Sequence, residues 1–99
     1  MNLVEKIASD LGSPYIATII DFENVIYRNL GNNYEFEVSG IKSMRGKCIL
    51  YVWRIAPKIC VGVYENISVA DLKDILGHYA TQYRNLTDQI RVEREDPIE

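Results

Sequence analysis

Two hydrophobic periods run along this chain. Leu3, Val4, Ile7, Ala8 and Leu11 recur at the spacing of one helical face, and Gly12 follows where such a helix would stop. A helix over 2–11 is predicted. Ser13 and Pro14 then have the character of an N-cap and a first helical residue, so a second helix is expected at once, over 14–30. Ile16, Ile19, Ile20, Ile26, Tyr27 and Leu30 fit one stripe of it, Glu23 interrupts the stripe, and Gly31 fits its end. The same stretch is rich in Ile, Thr, Phe, Val and Tyr, which favour extended backbone; a strand at 15–22 is the alternative.

A period of two takes over at residue 34. Tyr34, Phe36 and Val38 alternate with Glu35, Glu37 and Ser39, the signature of a half-buried strand. Residues 40–46 read as a loop. Residues 47–55 are apolar on both parities, with Cys48, Leu50 and Val52 against Ile49, Tyr51, Trp53 and Ile55. That predicts a central strand covered on both faces. Ala56-Pro57 makes a turn, and 58–65 returns with Ile59, Val61 and Val63 on one face. A three-stranded antiparallel meander over 34–65 follows.

Ser68, with Asp71 three residues on, reads as a helix cap. Val69, Leu72, Leu76, Tyr79, Tyr83, Leu86 and Ile90 then recur at alternating spacings of three and four. A helix over 68–90 would be about 34 Å long. Strands of six to eight residues span only ~20–27 Å, so the helix is expected to overhang the sheet. Gly77 inside it reads as a point of close packing, and the charged tail from Arg91 is expected to fray. The fold class expected is α+β: helix, helix, three-stranded antiparallel meander, and a long C-terminal helix packed on the sheet, in one domain over 1–99.

Composition bounds the function. Ninety-nine residues, 47% apolar and 25% charged, fit one soluble globular domain. No apolar run approaches the ~18 residues that span a bilayer. The segment MNLVEKIASDLG lacks the apolar core of a signal peptide. A cytoplasmic protein without membrane contact is expected. The net charge of −3 conceals an asymmetry: no acid lies between Glu37 and Glu65, a stretch that holds Lys42, Arg45, Lys47, Arg54 and Lys58. Setting that +5 aside leaves −8 for the remainder.

Candidate chemistry is sparse. A turn at 56–57 would set Cys60 opposite Trp53 and Cys48 opposite Glu65, with the thiols about 16 Å apart along the strand. Disulfides need Cα atoms within ~7 Å, so two buried free cysteines are expected. His78 is the single histidine and falls off the helical seam, at a rim. No zinc ligand set, catalytic triad or glycine-rich phosphate loop is present. No enzymatic activity, cofactor or metal is expected. Asn66-Ile67-Ser68 and Asn85-Leu86-Thr87 match glycosylation sequons, and without a signal peptide are read as chance.

Two non-enzymatic functions remain. The first is an interaction module that dimerises about a two-fold axis, through the long helix or the second sheet face. Tyr51, Trp53, Tyr79, Tyr83 and Leu86 are the candidate interface. The second is nucleic-acid binding, with Tyr51, Trp53 and Tyr64 as ring platforms and Lys42, Arg45, Lys47, Arg54 and Lys58 as phosphate contacts. Those bases divide between the two ends of the central strand, about 25 Å apart.

Two resemblances add expectations. The segment Ile19-Ile20-Asp21-Phe22-Glu23-Asn24-Val25 resembles the first strand of NYN/PIN-like ribonucleases. That resemblance implies a metal-holding role for Asp21, with Asp71 and Asp74 as the only further acidic candidates. Over its whole length the chain resembles the small proteins of archaeal filamentous DNA viruses, the rudivirus and lipothrixvirus group. The likeness is carried by its size, its Ile and Tyr content, and the block Gly46-Lys47-Cys48-Ile49-Leu50-Tyr51-Val52-Trp53 running into Val61-Gly62-Val63-Tyr64-Glu65-Asn66-Ile67. It implies a heat-tolerant protein acting inside a host cell.

Overall fold

The computed structural model describes residues 2–42 and 45–95, the last ten of these as helix backbone alone. Helix α1 (Leu3–Leu11) opens the chain. The Asn2 side chain accepts from the Glu5 backbone N–H, and the Glu5 carboxylate accepts from that of Asn2, a reciprocal cap. Gly12 closes the helix at φ 82°, donating to the Ala8 carbonyl.

The second helix expected over 14–30 is not formed. That segment is a hairpin of β1 (Ile16–Ile20) and β2 (Glu23–Asn29). Asp21 and Phe22 are its two-residue loop, both at positive φ (51° and 66°), the conformation that matches the twist of the flanking strands. The β-branched and aromatic residues outweigh the helical stripe. Glu23, which breaks that stripe, accepts hydrogen bonds from Ser39 Oγ and the Gly40 N–H, tying the start of β2 to the end of β3.

The hairpin leads into β3 (Tyr34–Ser39), β4 (Lys47–Arg54) and β5 (Ile59–Ser68). The expected three-stranded meander is therefore a five-stranded antiparallel sheet in the order β1-β2-β3-β4-β5. Paired residues share a face. One row runs Ala17, Ile26, Val38, Leu50, Tyr64, and its neighbour runs Ile16, Tyr27, Glu37, Tyr51, Val63. The first row faces the core, where Val4 and Ala8 of α1 and Leu72, Leu76, Ala80 and Tyr83 of the C-terminal helix pack on Phe36, Val38, Leu50 and Val52. Both helices lie on this inner face. Strand β4 is thus covered once rather than twice: Cys48, Leu50 and Val52 are buried, while Tyr51 and Trp53 stay half-exposed on the outer face.

Strands β4 and β5 begin in the expected register, Trp53 opposite Cys60. Two bulges then advance β5, so Cys48 faces Ile67 rather than Glu65. Both cysteines are free; Cys48 is buried as expected, whereas Cys60 is exposed. Ile59, Val61 and Val63 are exposed as well.

A short 3-10 turn (Val69–Asp71) precedes helix α2 (Leu72–Glu95). Ser68 makes no side-chain capping bond; instead the Val69 N–H donates to the Gly46 carbonyl. Leu72, Leu76 and Tyr83 are buried and Tyr79 half-buried along the seam, while the Leu86 and Ile90 side chains lie outside the described residues. The Tyr83 ring sits 5.7 Å from that of Tyr34, at the start of β3, and α2 continues to Glu95, about 18 Å further. The close packing read at Gly77 is absent, because a Cβ there meets nothing within 4 Å. Gly77→Ala is accordingly expected to stabilise the protein by about 1 kcal/mol through helix propensity. A thermal melt checks this; a lower melting temperature would contradict it.

Candidate recognition face

The outer face of the sheet is built by alternation. Because Tyr34, Phe36 and Val38 point into the core, Glu35 and Glu37 point out, beside Trp53 and Tyr51 of β4. The β1–β2 turn brings Asp21 and Glu23 to the same region. Both β3 carboxylates find a donor. Tyr27 Oη donates to Glu35 Oε1 at 2.7 Å, and Trp53 Nε1 donates to Glu37 Oε1 at 3.0 Å. The Tyr51 and Trp53 rings stack, centroids 6.4 Å apart and planes 29° apart.

Between these groups is a hollow of about 230 Å³, lined by Asp21, Glu23, Glu37, Ser39, Tyr51 and Trp53 among others. Burial is the main cause that raises the Glu37 pKa above its ordinary value, opposed by the Trp53 hydrogen bond and reinforced by the charges of Asp21 and Glu23. One cation already sits on this face. Lys58 Nζ lies 4.9 Å from the Trp53 ring centroid and 3.0 Å from Glu35 Oε2.

The five basic candidates do not converge. Lys42, Arg45 and Lys47 are exposed around the β3–β4 loop, while Arg54 and Lys58 lie at the opposite end of β4. Of the ring platforms, Tyr51 and Trp53 share the outer face, but Tyr64 is on the inner one. There it stacks on Tyr79 at 4.0 Å and shares a 2.6 Å hydrogen bond with the Tyr83 hydroxyl. Of the interface candidates, Tyr51 and Trp53 are available to a partner, Tyr83 is consumed by the chain's own core, Tyr79 is half-buried beside it, and the Leu86 side chain lies outside the described residues.

No protein-family model, curated protein or solved structure matches this chain.

The three acids singled out by the ribonuclease resemblance are not brought together. Asp21 sits in the loop of an antiparallel hairpin, whereas Asp71 and Asp74 line a groove of about 710 Å³ between β5 and α2, with His78. The purely antiparallel sheet also departs from the parallel one that resemblance implies. Among the described residues, no three His, Cys, Asp or Glu side chains are placed to hold a metal ion, and no helix is long and apolar enough to cross a membrane. The sequence pattern marks Tyr51 and Trp53 as exposed rings and, through the ribonuclease resemblance, Asp21 as a metal candidate, but it assigns no role to Glu23, Glu35 or Glu37. Glu35 and Glu37 are legible from the alternation; that Asp21 and Glu23 join them on one face follows only from the β1–β2 hairpin, which the helix expected over 14–30 does not contain.

Proposed function

We propose that this chain is a non-enzymatic interaction module whose open sheet face takes a lysine or arginine side chain of a partner protein. The observation that carries this reading is the hollow where Asp21, Glu23 and Glu37 meet the rings of Tyr51 and Trp53. Stacked rings present a negative quadrupole, and carboxylates supply full charge, so both favour a cation. Lys58 already demonstrates the pairing next to the hollow, over the same indole. Glu37 strengthens the argument: burial raises its pKa, and the neighbouring charges of Asp21 and Glu23 raise it further, so a bound cation would favour its ionised form. The same charges disfavour the nucleic-acid alternative at these rings, since phosphates would approach carboxylates. We place that partner inside a host cell, which is what the resemblance to archaeal virus proteins would imply.

The test is calorimetric titration with a Lys/Arg-rich peptide, a matched Glu-rich peptide and a single-stranded oligonucleotide. Only the basic peptide is expected to bind, more weakly as salt rises. Glu37→Gln is expected to lower its affinity about tenfold, equivalent to ~1.4 kcal/mol. Affinity should also fall as pH drops through the raised Glu37 pKa, where the carboxylate becomes neutral. The stability effect has the opposite sign. A raised folded-state pKa means the folded chain binds the proton more tightly than the unfolded one. Stability therefore rises as pH falls from neutral through that pKa, and Glu37→Gln should melt no lower than the parent at pH 7. Binding of the oligonucleotide in place of the peptide would contradict the proposal.

A further inference from the structure

The two edges of the sheet are built differently. Strand β1 has five residues, and α1 packs against it. Strand β5 has ten, the longest in the sheet, and pairs only with β4 among the described residues. Free strand edges are usually blunted by shortness, lysine or proline. β5 has no lysine, arginine or proline, and Glu65 is its single charge. Among the described residues, two bulges are the irregularity that interrupts it. Ile59, Val61 and Val63 are 44%, 38% and 47% exposed along it.

We infer that β5 pairs antiparallel with β5 of a second copy of this chain, joining two five-stranded sheets into one of ten strands about a two-fold axis. A copy is the occupant that the strand itself specifies. Antiparallel self-pairing is isologous, so each exposed apolar position is met by a strand of equal length and the same composition. An axis through Val63 sets Val63 against the partner's Val63 and Glu65 against the partner's Val61, so the one charge never faces itself. The outer row Ile16, Tyr27, Glu37, Tyr51, Val63 then continues across the axis into its own repeat. A groove between β5 and α2, lined in part by half-buried Ile75 and Tyr79, runs beside this strand. This route to a dimer uses the sheet edge and leaves Tyr83 in the core, unlike one through the long helix. It is independent of the cation-binding reading, because the hollow lies on the face and not at this edge.

The experiment is sedimentation equilibrium of the full chain and of the Val61→Lys/Val63→Lys double variant, with circular dichroism of both. The parent is expected at twice its 11.4 kDa mass. The variant is expected at the monomer mass with an unchanged spectrum, since both replaced side chains are solvent-exposed in the single chain. A parent that stays monomeric at submillimolar concentration overturns the inference, and so does a dimer that survives the lysine pair. If the variant fails to fold, hydrogen exchange on the parent decides. Protection of every amide across 60–66 supports the paired edge, and fast exchange at alternate amides of that stretch refutes it.

Discussion

Tyr83→Glu is expected to unfold the protein at pH 7. Tyr83 is 4% exposed, and its ring lies against Tyr34. Its hydroxyl shares a hydrogen bond with Tyr64 and comes so close to Gly62 that a Cβ there would be 2.5 Å away. Burial, and then the bond to Tyr64, push the Tyr83 pKa far above that of a free phenol, so the folded chain holds this group neutral. A glutamate in its place must either ionise in an apolar site or bind a proton at pH 7. Both outcomes, with the lost ring contacts, cost more than about 3 kcal/mol. The whole stability of a 99-residue domain is only ~5–15 kcal/mol. Tyr83→Phe separates charge from packing: it keeps the ring, deprives Tyr64 of a partner and should cost about 1–2 kcal/mol. Thermal melts of the two variants check the pair. A folded Tyr83→Glu protein with the parent's melting temperature would place Tyr83 outside the core.

Phe36→Ala should be comparably severe. Phe36 is the largest fully buried side chain, on the middle strand, between Arg28 of β2 and Val52 of β4. Flanking strands and both helices hold its surroundings in place, so little collapse into the vacated space is available. Lost transfer energy and the cavity together predict about 3–5 kcal/mol. Urea denaturation should show a lower midpoint with an unchanged slope, the mark of lost stability without a changed denatured state. A loss below ~1 kcal/mol would mean that the sheet centre repacks freely.

What was legible in the chain depended on whether a residue pattern fits one period or two. Leu3 to Leu11 fits only the helical one, and Tyr34 to Ser39 only the extended one, and both elements form as read. Ile16, Ile19, Ile20, Ile26 and Tyr27 fit either, and the hairpin rests on Asp21 and Phe22 adopting positive φ without the Asn-Gly pair that usually announces it. The two-sided apolar character of 47–55 was real, but it signals an aromatic outer face rather than a second covering layer. The bulges in β5 left no trace in the alternation, so Cys48 was set against the wrong partner. The recognition face was half legible: its rings and its β3 carboxylates follow from parity, and its β1–β2 carboxylates follow only once the hairpin is known.

The outer sheet face is open and, on the reading proposed above, negatively charged around its rings, and Trp53, the only tryptophan, reports on it directly. Quenching of its fluorescence by caesium and by iodide, at matched ionic strength, compares how a cation and an anion reach that ring. With Asp21, Glu23, Glu35 and Glu37 nearby and Lys58 the one cation over the indole among the described residues, caesium is expected to quench more strongly, and Glu37→Gln to narrow the difference. Stronger quenching by iodide would mean that the face around the rings is not negative, and quenching by neither ion would mean that Trp53 is not open to solvent.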